Sequence, residues 1–448
     1  MLSPEESRTV AQRLVEQATT AGADAADAIY IASHSTDVQV RLGELDHVAR
    51  SEGEDIGLRV FLGARSASVS SSDLSDDALG ELVKRVLAMA AEAPEDPYAG
   101  LAPSDLLAAP PFASLDSTDT HEPDPAELQR MALDAEAAAR AVKGVTNSSG
   151  SGASSSASVI SLATSGGFSG AYGATGYGCS ASVIAGEGAG MQRDSWSHSV
   201  RHFEDLETPE SIGREAGRRA VGRLNPVRPK PGAMPVLFDP RIAGSLLGHF
   251  AGAISGAAIA RKSSFLQDKL GSRIFAEGVS IVDDPLRPRG LRSRPFDGEG
   301  LPVRRMEFVS GGVLQSWMAN SASARQLGIA PTGNASRGVG SAPGVTPSNF
   351  YFDAGKRSPK ELLGAFPKAI LVTELIGQGA NLVTGDYSRG AAGFLVENGE
   401  IVAPVQEITI ASNLLDMFAT LEPGSDLEFR RGIDSPTILI PEMTVGAA

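Results

Sequence analysis

Cysteine is almost missing from this chain: its 448 residues include one, Cys179. A single thiol cannot close an internal disulfide or build a cysteine-rich zinc site. That usage suits a reducing compartment. Basic runs are missing too. The 39 lysines and arginines are scattered among 54 acidic residues, for a formal charge of −15. A phosphate-tracking surface and direct nucleic-acid binding are therefore not expected, and any basic patch would have to be assembled by folding. The opening "MLSPEESRTVAQRLVEQA" has neither the basic nor the apolar region of a secretory signal, so a cytoplasmic protein is expected.

One uncharged stretch could in principle span a membrane. "IAGSLLGHFAGAISGAAIA", 242–260, carries no lysine, arginine, aspartate or glutamate. As a single helix it would run about 28 Å, enough for a bilayer core. But alanine, glycine and serine gain little from lipid, and the central His249 costs free energy there. No membrane span is expected. Glycine at 244, 248, 252 and 256 suits a soluble helix whose backbone packs close to a neighbour.

The chain is too long for one ordinary core, which predicts two domains. Residues 4–22 read as an amphipathic helix, with Ser3 and Glu6 as a capping box and Pro4 in the first turn. Alternation at Ile29–Ile31 and at Val38, Val40 and Leu42 predicts two or three antiparallel strands. Further helices are predicted over 75–93, 124–142 and 208–224. The Ser/Gly-rich segment from Asn147 alternates strictly, so it reads as long strands of small residues that continue through "MQRDSWSHSVRHFEDL". "NPVRPKPGAMP", 225–235, is the best boundary. The expected fold class is α+β. Residues 1–226 form an antiparallel sheet with helices, and 235–448 form a β-rich domain carrying one buried Gly/Ala-rich helix. "ENGE" in the second half signals a type I′ hairpin.

No catalytic constellation assembles from spacing. A zinc peptidase helix needs two histidines and a neighbouring glutamate, and the helix around His249 has one histidine and no acid. His198 and His202, on one strand, would be roughly 13 Å apart, too far to share an ion. Ser388 in "GDYSRGAAGF" is not a G-x-S-x-G elbow, and no histidine follows His249. Acid–base work by Asp386 with Glu374 or Glu397 stays open, because sequence does not give distances. The glycine-rich 331–344 and 374–393 carry no P-loop or dinucleotide fingerprint. Glycines in a β-rich domain mark turns and close backbone approach, as a groove for an extended peptide requires.

Several collinear blocks carry a resemblance: "GHFAGAISGAAIARKSSFLQDKLG" (248–271), "PFDGEG" (295–300), "SARQLG" (323–328), "PTGN" (331–334), "VTELIGQGANLVTGDYSRGAAGFLVENGEI" (372–401) and "EITIASNLLDMF" (407–418). Together they resemble the TldD/TldE (PmbA) family, specifically its TldE, or PmbA, branch, once described as a modulator of DNA gyrase. TldD-type chains carry an H-E-x-x-x-H zinc motif and a later cysteine ligand. They pair with a TldE-type chain to form a peptidase acting on unfolded peptides in a narrow cavity. Set on that motif, this chain has Gly248 and Ala253 at the histidine positions and His249 at the glutamate.

The resemblance implies a non-catalytic subunit with no metal or cofactor of its own, whose TldD-type partner supplies zinc. It implies a homodimer when the chain is isolated. The polar and glycine positions of the matched loops are the candidate peptide-cavity wall: Asn320, Thr332, Gly333, Asn334, Gln378, Gly379, Asp386, Ser388 and Arg389. Turn formation and hydrogen bonding within the domain are their alternative role, including an Asp386–Arg389 pair. Two other functions remain open: an independent hydrolase using the 374–393 loop, and a regulatory protein binding gyrase.

Overall fold

The computed structural model describes residues 1–447. The fold is α+β. Its N-terminal half begins with α1 (Pro4–Thr20), where the capping box forms: Ser3 Oγ accepts from Glu6 N, and the Glu6 carboxylate accepts from Ser3 N. Then follow β1 (Ala25–Arg41), β2 (Glu44–Leu62), β3 (Arg65–Ser71), α2 (Asp76–Glu92), α3 (Pro125–Arg140), β4 (Val145–Thr164), β5 (Ser169–Ala185), β6 (Gln192–Val200) and α4 (Pro209–Gly222). The strands make one antiparallel sheet in the order β3-β2-β1-β4-β5-β6.

Ile29–Ile31 and Val38–Val40 lie on the same strand, and Leu42 sits in the following turn at φ 54°. The Ser/Gly-rich segment is the long β4–β5 pair. It does not continue unbroken into the next strand. Gly186 and Gly188 turn the chain at φ 78° and 57°, and β6 then starts afresh. His202 lies beyond the end of β6, its ring held by the Asp116 carbonyl at 2.9 Å. His198 and His202 therefore do not share a strand.

Helices α1 and α2 cover one part of the sheet, burying Leu14, Val15, Tyr30, Ile56, Leu58, Leu82 and Val86. Each such aliphatic side chain contributes about 1.5–3 kcal/mol by leaving water. Helices α3 and α4 cover the β4–β6 part through Ala135, Ala139, Val183, Ile212 and Ala216. Small residues let these two helices touch backbone to backbone: a Cβ on Gly213 would lie 2.0 Å from Ala135 O.

The C-terminal half comprises β7 (Gly232–Phe238), α5 (Pro240–Ala253), α6 (Gly256–Ala260), β8 (Ile281–Asp283), β9 (Met306–Ser310), β10 (Val313–Leu314), α7 (Ser321–Leu327), β11 (Ala335–Ser336), β12 (Gly344–Val345), β13 (Phe350–Phe352), α8 (Pro359–Leu363), β14 (Lys368–Ile376), β15 (Asp386–Glu397), β16 (Glu400–Asn413), α9 (Leu414–Thr420), β17 (Glu422–Pro423), β18 (Ile433–Asp434) and β19 (Ile438–Ala447). Its main sheet runs β16-β15-β14-β7-β19-β17, and β16 also pairs with β19. Strands β7, β14, β15, β16 and β19 thus close into a ring. A smaller sheet, β10-β9-β8-β13-β18, lies beside it. Phe238, Leu246, Phe250, Phe275, Phe350, Ile410, Phe418 and Ile440 meet in the shared core.

The 242–260 stretch is two helices, not the single helix its composition predicts. The break falls at Ile254–Ser255, because this backbone pairs with another segment. Met318 N donates to Ile254 O at 2.9 Å and Gly256 N donates to Met318 O at 2.7 Å. Gly256 permits that approach: a Cβ there would sit 2.5 Å from Ser323 Oγ. No helix among the described residues is long and apolar enough to cross a membrane.

The two halves meet across the open face of the N-terminal sheet. Ile29, Leu162 and Phe168 pack against Phe296, with the Phe168 and Phe296 rings edge-on at 4.8 Å. Asp27 on β1 lies between Arg59 on β2 and Arg337 from the 331–344 loop.

Candidate functional site

Helix α5 organises the candidate site. Asp239 caps it, accepting from Arg241 N at 2.9 Å, and Pro240 occupies the first turn. Leu246, Leu247, Phe250 and Ala253 enter the core. Elsewhere on the helix the glycines differ. A Cβ on Gly244 would come 3.1 Å from Ile433 O, and one on Gly252 would come 2.9 Å from Leu382 Cδ1, but one on Gly248 would meet nothing within 4 Å. Gly248 opens onto a cleft of about 770 Å³.

Four arginines from four segments line this cleft: Arg241, Arg292, Arg389 and Arg431. Ile242, Leu291, Leu375 and Ile433 supply apolar wall, and no aspartate or glutamate belongs to the lining. Arg241 is neutralised by Asp194 at 3.0 Å and Asp239 at 3.4 Å. Among the described residues the other three make no ion pair. Arg292 donates only to a hydroxyl, Thr346 Oγ1, at 3.2 Å. The nearby Asp434 carboxylate is occupied by the backbone amides of Arg430, Arg431 and Gly432. Burial pulls Arg292 and Arg431 below the usual arginine pKa range, yet a guanidinium stays charged at neutral pH.

His249 sits beside the cleft wall, half-buried, with its ring edge-on to Tyr387 at 6.0 Å. Its buried Nε2 has no hydrogen-bond partner among the described residues, nor has the Tyr387 hydroxyl. Burial, aided by the Arg389 charge, holds the His249 pKa below its ordinary value. The histidine is thus kept neutral and next to a cation.

The sequence-predicted wall residues form two groups. Gln378, Gly379, Asp386, Ser388 and Arg389 gather at one end of the β14–β15 hairpin, where Ser388 N donates to Gly379 O at 2.7 Å. A Cβ on Gly379 would lie 1.6 Å from Ser388 O, so only glycine fits that crossing. Gln378, Asp386 and Ser388 are exposed. Asp386 accepts from Thr384 Oγ1 at 2.6 Å. It does not pair with Arg389, because residues three apart on a strand face opposite sides. Arg389 instead shares the face of Tyr387, towards His249.

The second group, Asn320, Thr332, Gly333 and Asn334, holds the loop after α7. Asn320 caps α7 through Ser323 N at 3.0 Å and donates to Pro343 O at 2.7 Å. Thr332 Oγ1 accepts from Ala319 N at 2.9 Å, and buried Asn334 donates to Asp283 at 2.7 Å. Gly333, at φ 76°, passes so near Pro302 O that a Cβ would come within 2.7 Å.

Paired-carboxylate chemistry does not assemble around Asp386. Glu397 ends the same strand, roughly 36 Å away by strand rise, and pairs with Lys368 at 3.2 Å. Glu374 lies opposite Ala392, roughly 20 Å along β15 from Asp386, and pairs with Arg223 at 2.5 Å. Ser388 faces away from Tyr387 and hence from His249. The positions set against the zinc motif do not fit a metal either. Gly248 is exposed, Ala253 is fully buried, and His249 offers one imidazole beside a guanidinium. Among the described residues, no three His, Cys, Asp or Glu side chains converge as metal ligands.

Sequence reasoning missed Arg241, Arg292 and Arg431. They are far apart along the chain, and nothing in their spacing marks a shared surface.

Profiles of the PmbA/TldA metallopeptidase match in chain order: domain 1 over 26–90, the central domain over 119–224 and the C-terminal domain over 231–447. The chain is 37% identical to Metalloprotease PmbA of Escherichia coli O157:H7, across 98% of this chain and 97% of that protein. A candidate modulator of DNA gyrase from Bacteroides thetaiotaomicron shares the fold at a TM-score of 0.92, with 24% identity and 100% of both chains covered. TldE from Thermococcus kodakarensis superposes at 0.87, with 20% identity over 97% of this chain and 99% of that one. The matched profiles and the full-length similarity to PmbA show that this chain belongs to the PmbA/TldD metallopeptidase family.

Proposed function

We propose that this chain is a PmbA/TldE-type subunit that handles unfolded peptides without a catalytic metal of its own. It contributes one wall of a peptide cavity, and a TldD-type partner supplies the zinc. The observation that carries this reading is the charge around α5. The lone imidazole at the motif stands beside Arg389, and a dication there would meet repulsion with no carboxylate to offset it. Arg389 forms the cleft side of the wall, the exposed Gln378, Asp386 and Ser388 mark the outer side of the same hairpin end, and Asn320, Thr332, Gly333 and Asn334 hold the loop after α7. Isolated from its partner, the chain pairs with itself, since two subunits of one fold can exchange places at a symmetric interface.

The test is metal analysis and a peptide-cleavage assay on the purified chain, alone and co-expressed with a TldD-type subunit. Zinc and cleavage are expected only with the partner present. Cleavage by the chain alone that survives a chelator and is lost in Asp386→Asn or Ser388→Ala would overturn the reading in favour of an independent hydrolase. Capture of gyrase but no TldD-type chain would favour a regulatory role.

A further inference from the structure

The arginine cleft over α5 has a feature that a scaffold does not need. Buried or half-buried cations are ordinarily paired, because desolvating a charge is unfavourable. Here Arg241 follows that rule, and half-buried Arg292 and Arg389 do not among the described residues; Arg431 beside them is exposed and also makes no ion pair. They converge from β15, β18's leading edge and the 285–295 loop onto one concavity with no acid in its lining. This happens in a protein of net charge −15. At Leu291 and Arg431 the cleft adjoins a second cavity of about 280 Å³, which reaches His198–Arg201 at the end of β6 and whose lining mixes Arg287, Arg289 and Arg430 with Asp205 and Asp434. The combined groove has length as well as charge.

We propose that this groove binds the carboxylates of an acidic, extended peptide segment. The inference rests on the reading of the chain as a peptide-handling subunit and names the class of peptide. Guanidinium groups take carboxylates through paired hydrogen bonds. Ile242, Leu291, Leu375 and Ile433 receive the apolar parts of such a chain. Gly248, with open space where a side chain would stand, lets a peptide backbone come close to the helix. A nucleic acid fits less well. The protein's net charge of −15 repels a continuous run of phosphates at long range, whereas one or two carboxylates are satisfied inside the cleft.

The test is fluorescence anisotropy of labelled eight-residue peptides with the full chain. One peptide carries Asp and Glu, its twin carries Asn and Gln, and each is made with a free and with an amidated C-terminus. The acidic peptide is expected to bind about tenfold more tightly per engaged carboxylate, ~1.4 kcal/mol, with affinity falling as salt rises. The amidated forms separate side-chain carboxylates from the terminal one. Arg292→Gln, Arg389→Gln and Arg431→Gln should each narrow the gap between the twins, and Arg130→Gln on α3 should not. Equal affinity of the twins overturns the inference and leaves the peptide-cavity reading standing. No binding of any peptide overturns it as well, and the co-expression cleavage assay then decides that reading separately. Tighter binding of a single-stranded oligonucleotide than of the acidic peptide also overturns it.

Discussion

Asp27 and Arg337 form an ion pair at 2.5 Å across the junction of the two halves, with side chains 3% and 0% exposed. The contact lacks hydrogen-bond alignment, and the aligned bond to Asp27 comes from Arg59 Nε at 2.8 Å. One carboxylate therefore serves two buried guanidiniums.

Removing that carboxylate strands both cations. Asp27→Ala is expected to destabilise the protein by about 3–5 kcal/mol, the usual loss on breaking a buried pair from one side. Urea unfolding measures it. A loss below about 1 kcal/mol would mean that solvent reaches the junction.

Gly57 tests the same junction by shape. A Cβ there would lie 1.9 Å from Val339 O, a backbone atom that cannot swing aside. Gly57→Ala should lower stability by about 1–3 kcal/mol, whereas Gly53→Ala, with nothing within 4 Å, should change it by about 0.5 kcal/mol or less. Melting curves of the two variants, run side by side, make the comparison.

His249 should titrate below its ordinary pKa of 6.5 because of burial and the Arg389 charge. NMR of its ring protons measures the midpoint, and Arg389→Gln should raise it. The linkage sign follows. The unfolded chain takes up a proton first as pH falls through the ordinary value, so this group's share of stability is present above about 6.5 and is lost on acidification. A midpoint at or above 6.5 in the wild type would contradict the placement.

Asp297 acts in the opposite direction. Burial, reinforced by the Glu299 charge, pushes its carboxyl up to about 6. Between its ordinary 3.8 and that value the folded state holds a proton that the unfolded state has released. Its contribution to stability is therefore greatest below pH 4 or so and declines as pH rises towards 6. Carbon-detected NMR of the Asp297 carboxyl should show a midpoint well above the common aspartate range.

Local chemistry was legible in the sequence and convergence was not. The Ser3/Glu6 cap forms, and "ENGE" turns through Asn398 and Gly399 at φ 50° and 83°, as a type I′ hairpin requires. These features depend on residues a few positions apart. The break at Ile254 was hidden because its cause is Met318, a tertiary partner. The arginine cleft was hidden for the same reason: Arg241, Arg292, Arg389 and Arg431 share a surface only once the ring of strands has formed. Residue type alone points to Asn320 and Asn334 as wall residues. The structure shows their amides engaged with Pro343 and Asp283.

The closed ring of β7, β14, β15, β16 and β19 also decides how a guest chain can be held. Where the ring closes, with 408–411 of β16 paired to 444–447 of β19, it offers no vacant row of amides and carbonyls, so an incoming segment cannot add itself as an extra strand there. Side chains such as the cleft arginines must do the gripping along that ring. Main-chain docking is left to the outermost strands of the other sheets, β10 and β18 of the smaller C-terminal sheet and β3 and β6 of the N-terminal one, and β6 runs alongside the groove.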